Sequence, residues 1–378
     1  MQPINVLHLR DTHEIGGPGK TILETFRAID ADRFRLHLGI FLTRDESGDS
    51  PFVRAARDYG MPVHFIRGYN QYDPRMIGGV VDLAKSLQAD VLHAHEVKSD
   101  VVTLLAAARH RIPTMTTMHG WIANSRKQRM LVSLDKRAAR WFDCVIAVSA
   151  PIRDEILAAG ARPERVRLLH NAIVVERYRR TGERGFLQQL VGKPLSGPVI
   201  ASIGRLSPEK GHLDLLEAVA MLSLNGGPKP SIVLAGDGPD RERLEARTKA
   251  LGLESLVHFP GYVARPDRVL EETDLMVLPS HTEGLPNAAL EALVMEVPVL
   301  ATRVGGTPEV VEDGVTGRLV PPSSPRALAD ALQDFLGDPA PWKRMAARGR
   351  EMVETDFNFT TRTRKLEAIY AELTERTR

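Results

Sequence analysis

The sequence predicts an α/β protein of two Rossmann-like, doubly wound domains, each a parallel sheet covered by helices on both faces. Three observations carry this. Short apolar runs of strand length alternate with amphipathic stretches of helix length. The alternation lapses once, around residues 179–198, and then begins again. The chain has 378 residues, enough for two domains that each bury a core.

In the first half the strand-like runs are 4–9, 36–41, 63–66, 91–95, 114–119, 145–148 and 166–169, with helical patterns such as 20–29 and 74–87 between them. That order is the βαβ signature. The lapse is rich in charge, Gly and Pro, ending in Lys193-Pro-Leu-Ser-Gly-Pro198, and reads as a connection between domains. A second alternation follows at 199–203, 231–235, 257–259, 275–278, 299–301 and 317–320. The tail from Trp342 is helical and broken near Asp356-Phe-Asn-Phe359, which leaves a last helix to return to the first domain. The expected layout is therefore a first domain at 1–182, a linker at 183–197, a second domain at 198–356 and a returning helix at 357–378. The cleft between two such domains is the default ligand site.

A net charge of +2 with 26% charged residues fits a soluble globular enzyme and excludes a nucleic-acid binder or a disordered tail. Cys144 is the single cysteine, so no internal disulfide forms and a reducing cytoplasm is expected. No run approaches the ~18 apolar residues of a membrane span, and no export leader is indicated. The basic residues are uneven: between Arg109 and Arg140 stand eight Arg or Lys residues with Asp135 the only acid.

Glu283 and Glu291 flank seven residues in a segment that follows the apolar run 274–280. Strand, polar loop and helix are expected there, with Pro286 in the first helical turn, whose free amides can hold an anion. A glutamate at a helix start also serves as a simple cap. Upstream, Gly204 and Arg205 leave the run 199–203, and Lys210 follows. Two fixed cations at a strand's C-terminal end can neutralise a diphosphate, although a solvated loop has the same composition. The run 233–235 exits through Gly236-Asp-Gly-Pro239, where Asp237 is either a base or ribose contact or part of an ordinary turn.

Taken in order, these pieces resemble the retaining glycosyltransferases of family 4, which have the GT-B fold. The resemblance also draws on Met118-His-Gly120, Val148-Ser149 and His170-Asn-Ala172, and covers nearly the whole chain. It implies a nucleotide diphosphate sugar as donor, a UDP-sugar first and GDP-mannose second, with a glycan or lipid-linked acceptor and no cofactor or metal. Arg205 and Lys210 would bind the diphosphate, Glu291 the ribose and Glu283 the sugar hydroxyls. The backbone at Gly204, Gly284, Leu285, Pro286 and Asn287 would cradle phosphate, with Val263, Asp237 and Asn171 completing the donor site. Front-face substitution would give retention. Two other readings share the fold: a sugar-nucleotide 2-epimerase, and a non-catalytic partner subunit.

In the first domain, Gly16-Gly-Pro-Gly-Lys-Thr21 tempts a phosphate-loop reading, but Glu14 stands where that motif needs glycine. The resemblance makes Gly16 and Gly17 a loop touching donor or acceptor. His119 closes a strand beside Gly120, and the resemblance implies contact with the transferred sugar. His93 and His95 share a strand face as metal ligands would, yet no further ligand clusters with them in the sequence. His95 and Glu96 are instead expected on the acceptor side. The segment 121–142 reads either as a core-packed helix with a solvated basic face or as a face that leans on anionic lipid, with Trp121 and Ile122 inserted.

Overall fold

The computed structural model describes residues 2–12, 15–121, 125–222 and 229–375. Glu14, Ile122 and the side chain of Lys127 lie outside that description. The chain divides into two compact units, Met1–Ala172 with Phe359–Arg378, and Ile173–Asn358.

The first unit alternates β1 (Ile4–Arg10), α1 (Gly16–Ala28), β2 (Phe34–Thr43), α2 (Pro51–Asp58), β3 (Val63–Gly68), α3 (Arg75–Ser86), β4 (Val91–Ala94), α4 (Val97–His110), β5 (Thr114–Met118), α5 (Arg126–Ala138), β6 (Cys144–Ala147), α6 (Ala150–Ala158) and β7 (Val166–Leu168). Its seven strands lie in the order β3-β2-β1-β4-β5-β6-β7, all parallel. The order reverses between β1 and β4, so the loops after these two strands diverge and leave a crevice at their C-terminal ends. The strands are buried on both faces, which is why they read as unbroken apolar runs.

The second unit holds α7 (Phe186–Val191), β8 (Val199–Ile203), α8 (His212–Ala220), β9 (Ser231–Ala235), α9 (Arg241–Ala250), β10 (Val257–Gly261), α10 (Pro266–Glu271), β11 (Leu275–Leu278), α11 (Asn287–Val294), β12 (Val299–Thr302), α12 (Thr307–Val310), β13 (Arg318–Val320), α13 (Pro325–Gly337) and α14 (Ala340–Asp356). Its parallel sheet runs β10-β9-β8-β11-β12-β13, with the reversal between β8 and β11. The last helix, α15 (Phe359–Glu375), belongs to the first unit, where Leu366, Tyr370 and Leu373 pack into the core with Val6, Phe34 and Leu38.

The chain passes between units at 172/173, upstream of the expected linker at 183–197. The reason is local bonding. Glu271 accepts from the amides of Thr181 and Gly182 at 2.9–3.0 Å, and Arg180 donates to the Met295 carbonyl at 2.8 Å, so residues 180–182 are already tied to the second unit. Part of the expected linker is itself ordered as α7, with Leu187 fully buried.

Candidate functional site

In the second unit the functional side chains gather where β8 and β11 end. The loop after β8 passes so close to that after β9 that a Cβ on Gly236 would lie 1.7 Å from the Gly204 carbonyl oxygen. Only glycine fits there. The amides of Gly204 and Leu206 donate to the carbonyls of Ala235 and Asp237 at 3.0 and 2.9 Å, which fixes the course of Arg205. Arg205 is exposed and Lys210 is half-buried.

The Glu283 loop is fastened to the Lys210 turn at several points. The His281 amide donates to the Glu209 carbonyl at 2.7 Å, and the His281 ring meets Asp214 Oδ2 of α8 at 2.8 Å. Lys210 Nζ donates to Glu283 Oε1 at 2.6 Å, and the Ser280 hydroxyl donates to the same oxygen at 2.7 Å. Behind the loop, a Cβ on Gly305, at φ +47°, would lie 1.8 Å from the Glu283 carbonyl oxygen. The Gly306 amide donates to the Gly284 carbonyl at 3.0 Å.

Pro286 is the residue before α11 rather than part of its first turn, so Glu283 lies wholly on the loop and Glu291 is just over one turn into the helix. The helix start has no side-chain cap, which leaves its first amides to partners outside the helix. Asn287 Oδ1 beside it is buried without a hydrogen-bond partner among the described residues. Glu291 is 4% exposed and bonds Tyr178, whose phenol is pushed up by burial and by the Glu291 charge. Nothing in the sequence marks Tyr178, which stands just before the stretch that reads as a connection. Asp237 is exposed, and its carboxylate accepts from the Gly238 amide at 2.8 Å, so part of its capacity serves the turn. Val263 lies past β10, half-buried beside Leu187 and Val233.

The first unit carries Gly16, Gly17, His95, Glu96, His119 and Asn171, apart from the second-unit residues just described. Gly16 and Gly17 open α1 instead of forming a free loop, and Asn171 is buried after β7. His119 is partly exposed, yet both its ring nitrogens are shielded and without a hydrogen-bond partner among the described residues. Burial, then the Arg362 and Arg10 charges, lower its pKa to about 3. It is therefore neutral at physiological pH and offers a hydrogen bond, not a positive charge.

His119 stacks on His95 at 5.9 Å between ring centres, and His95 leads into a buried chain. His95 Nε2 and His8 Nδ1 share a hydrogen bond of 2.9 Å, the Tyr370 hydroxyl joins His8 Nε2 at 3.3 Å and His93 Nδ1 at 2.7 Å, and His93 Nε2 meets Thr117 at 2.8 Å. The sequence reading missed His8, although parallel pairing of β1 with β4 puts it opposite His93. Ligand atoms of His8, His93 and His95 lie within 4.8 Å of one another, as a metal site would need. Both nitrogens of His8 and of His93 are already hydrogen-bonded, so the donor set suits a neutral bonded network better than an ion.

Glu96 caps α4 and is committed to structure. It accepts from Arg10 at 3.0 Å and from the amides of Asp11 and Thr12 at 2.7 and 2.9 Å, which leaves its carboxylate little capacity for an acceptor sugar. Trp121 is turned inward, donating to Asp135 at 2.8 Å, with Lys136 over its ring. This opposes the expectation that Trp121 inserts into lipid. The apolar residues Met130, Leu134 and Trp141 are nevertheless 58%, 51% and 58% exposed, so the outward face of α5 and the turn after it is not core-packed. Arg126, Arg129, Arg137 and Arg140 share that exposed face.

Two doubly wound sheets and an ion pair across the second switch point place the chain among two-domain α/β proteins of the GT-B architecture. It belongs to the glycosyltransferases of group 1 and family 4: the model "Glycosyl transferases group 1" matches residues 184–352 and "Glycosyltransferase Family 4" matches 15–177. It is 30% identical over 318 residues to a D-inositol 3-phosphate glycosyltransferase of Corynebacterium diphtheriae, covering 78% of this chain and 74% of that one. A glycogen synthase of Mycobacterium tuberculosis is 27% identical over 289 residues, covering 73% and 67%. In fold it matches Anabaena HepE, solved with UDP and glucose, at a TM-score of 0.86 and 23% identity, over 98% of this chain and 100% of that one.

Proposed function

We propose that the chain transfers a hexosyl unit from a UDP-sugar to a hydroxyl of a glycan or lipid-linked acceptor, with retention at the anomeric carbon and without a bound metal. The observation that carries this reading is the Lys210–Glu283 pair at 2.6 Å, set beside Arg205 and the uncapped start of α11. Binding the diphosphate would give Lys210 a second anionic partner and leave Glu283 to accept from sugar hydroxyls. UDP is favoured over GDP because the matched Anabaena structures hold UDP, UDP with glucose, and UDP-glucose.

In the step itself, the bond from the anomeric carbon to the diphosphate oxygen breaks and the acceptor oxygen bonds that carbon from the same face. The acceptor proton passes to the departing diphosphate. Arg205, Lys210 and the amides of α11 stabilise the charge developing there. Neutral His119 would donate or accept one hydrogen bond at the transferred sugar. The acid pair that inverting or double-displacement hydrolases use has no role in this scheme.

A thermal-shift screen of UDP- and GDP-sugars, followed by NMR of the product anomer, tests the reading. Stabilisation by GDP-mannose alone would overturn the donor assignment, and an inverted anomer the stereochemistry. Donor incubated without acceptor separates the classes: a 2-epimerase converts the sugar, a transferase hydrolyses it slowly, and a partner subunit does neither.

The exposed face of α5 supports a second part of the proposal, contact with an anionic membrane at its cytoplasmic side. Arg126, Arg129, Arg137 and Arg140 would meet headgroups while Met130, Leu134 and Trp141 enter the interface. Among the described residues no helix is long and apolar enough to cross a membrane, so the contact would be peripheral. Flotation with anionic liposomes at low salt should carry the protein upward; its absence from the lipid fraction would end the idea.

A further inference from the structure

Two aspartates lie between α4 and α5, Asp100 at 1% and Asp135 at 3% exposure. The Thr116 hydroxyl of β5 donates to Asp100 Oδ1 at 2.6 Å, and the Trp121 indole donates to Asp135 Oδ2 at 2.8 Å. The other oxygens, Asp100 Oδ2 and Asp135 Oδ1, are buried and meet no donor among the described residues. The two carboxyl groups bear directly on each other's ionisation. Carboxylates only accept, so a bond between them requires a proton, and one proton supplies both missing partners.

We propose that Asp100 and Asp135 share a single proton and act together as positioning residues for the turn of His119, Gly120 and Trp121, which Asp135 holds through the indole. The turn's part in transfer rests on the reading of His119 as a sugar contact; the shared proton does not. Thr116 donates to Asp100 and Trp121 to Asp135, so a proton between Asp100 Oδ2 and Asp135 Oδ1 completes the chain of bonds. The proton resides on Asp100, the deeper group, which burial and then the Asp135 charge push well above the usual carboxylate range. Asp135 stays the carboxylate and accepts twice.

The surrounding charges do not replace the proton. Glu96 at the start of α4 raises Asp100 further. Lys136, next to Asp135 on α5, is paired with Glu155 of α6 at 2.6 Å and stands over the Trp121 ring at 4.5 Å. Loss of the proton would leave two buried carboxylates in contact, relieved only if α4 and α5 part or Asp135 swings out. Either movement releases the indole. Because the folded pKa lies above the unfolded value of ~3.9, the stabilisation is full below that value and is lost as pH rises through the folded pKa.

Asp100→Asn tests this, since its amide donates to Asp135 while its carbonyl accepts from Thr116, with no proton to lose. At neutral pH the wild type should show the infrared band of a protonated carboxyl, and the variant should lack it. On raising the pH, the wild-type Trp121 indole resonance should shift and kcat fall about tenfold per pH unit beyond the titration point, with both flat in the variant. Asp135→Asn, which keeps an acceptor for Trp121 and gains a donor to Asp100, serves the same comparison if Asp100→Asn does not fold. Absence of the wild-type band, or an indole resonance that moves identically with pH in wild type and variant, overturns the proposal. A titrating band and indole in a protein with no transfer activity would uphold the shared proton and sink the transferase reading instead.

Discussion

Lys210→Ala removes a charged link between the two loops of the second switch point. Its Nζ lies 2.6 Å from Glu283 Oε1, so with a diphosphate bound it would stand within ~4 Å of a second anion. At an effective dielectric constant of about 20, a pair at ~4 Å is worth about 4 kcal/mol. If most of that is felt only as the diphosphate leaves, turnover falls by about three decades. Folding should suffer far less. Glu283 keeps its bond from Ser280 at 2.7 Å, and Lys210 itself is 29% exposed, so the loss is on the order of 1–2 kcal/mol, between the costs of exposed and buried pairs. Initial rates at saturating UDP-sugar, run beside thermal melts, separate these effects. A variant that melts near the wild type and keeps turnover within about tenfold would refute the charge-stabilisation argument.

Glu283→Gln should weaken binding of the full donor by about tenfold or more while UDP alone is held within a few-fold, because in the proposed function the lost acceptor serves the sugar; calorimetry with both ligands decides, and equal losses would contradict the assignment. Gly305→Ala must move the Glu283 carbonyl that its Cβ would meet at 1.8 Å, and should cost about 2–3 kcal/mol in a denaturant melt together with most activity. Wild-type melting would exclude that contact. Acid should destabilise the first unit. His8 and His119 are lowered to about 3, mainly by burial, and His93 and His95 are also well below normal. The folded protein thus keeps them neutral while unfolded histidines take up protons below ~6.5, and each contributes up to about 1.4 kcal/mol lost per pH unit until its folded pKa is reached. His119→Gln should reduce that slope, and an unchanged acid profile would mean the ring is already protonated or exposed.

The strands were legible because burial on both faces leaves short unbroken runs of Val, Ile and Leu bounded by turn residues. Runs read at 199–203, 231–235 and 275–278 coincide with β8, β9 and β11. The glycine turns after β8 and β9 were legible for a related reason: Gly236 and Gly204 fall where backbones cross, and such positions punctuate the sequence. Side chains that act through another element were not. His8 looks like one polar residue in an apolar strand until β4 is laid beside it. Tyr178 sits in a stretch without periodicity, and only folding brings it to Glu291. The α5 segment stayed open in the sequence, since Met130 and Leu134 keep helical spacing whether their face turns in or out.

The two units apply one device to different ends. In each, a cation ends or follows the strand on one side of the switch point and an acid follows the strand on the other: Arg10 with Glu96 at 3.0 Å at the ends of β1 and β4, and Lys210 with Glu283 at 2.6 Å after β8 and β11. In the first unit the pair is closed. Arg10 is 2% exposed and lies over the Phe52 ring at 4.1 Å, while Glu96 is held by two further backbone amides. In the second, Lys210 is 29% exposed and Glu283 has one hydroxyl partner besides it. An ion pair shut in by side chains and backbone amides is poorly placed to meet a ligand, whereas an accessible one can exchange a partner for phosphate or sugar at small cost. The first pair therefore braces the crevice, and the second is the one the proposed transfer would use. Glu96→Gln should accordingly lower the melting temperature without altering UDP affinity, and a loss of UDP binding in a folded Glu96→Gln protein would break the distinction.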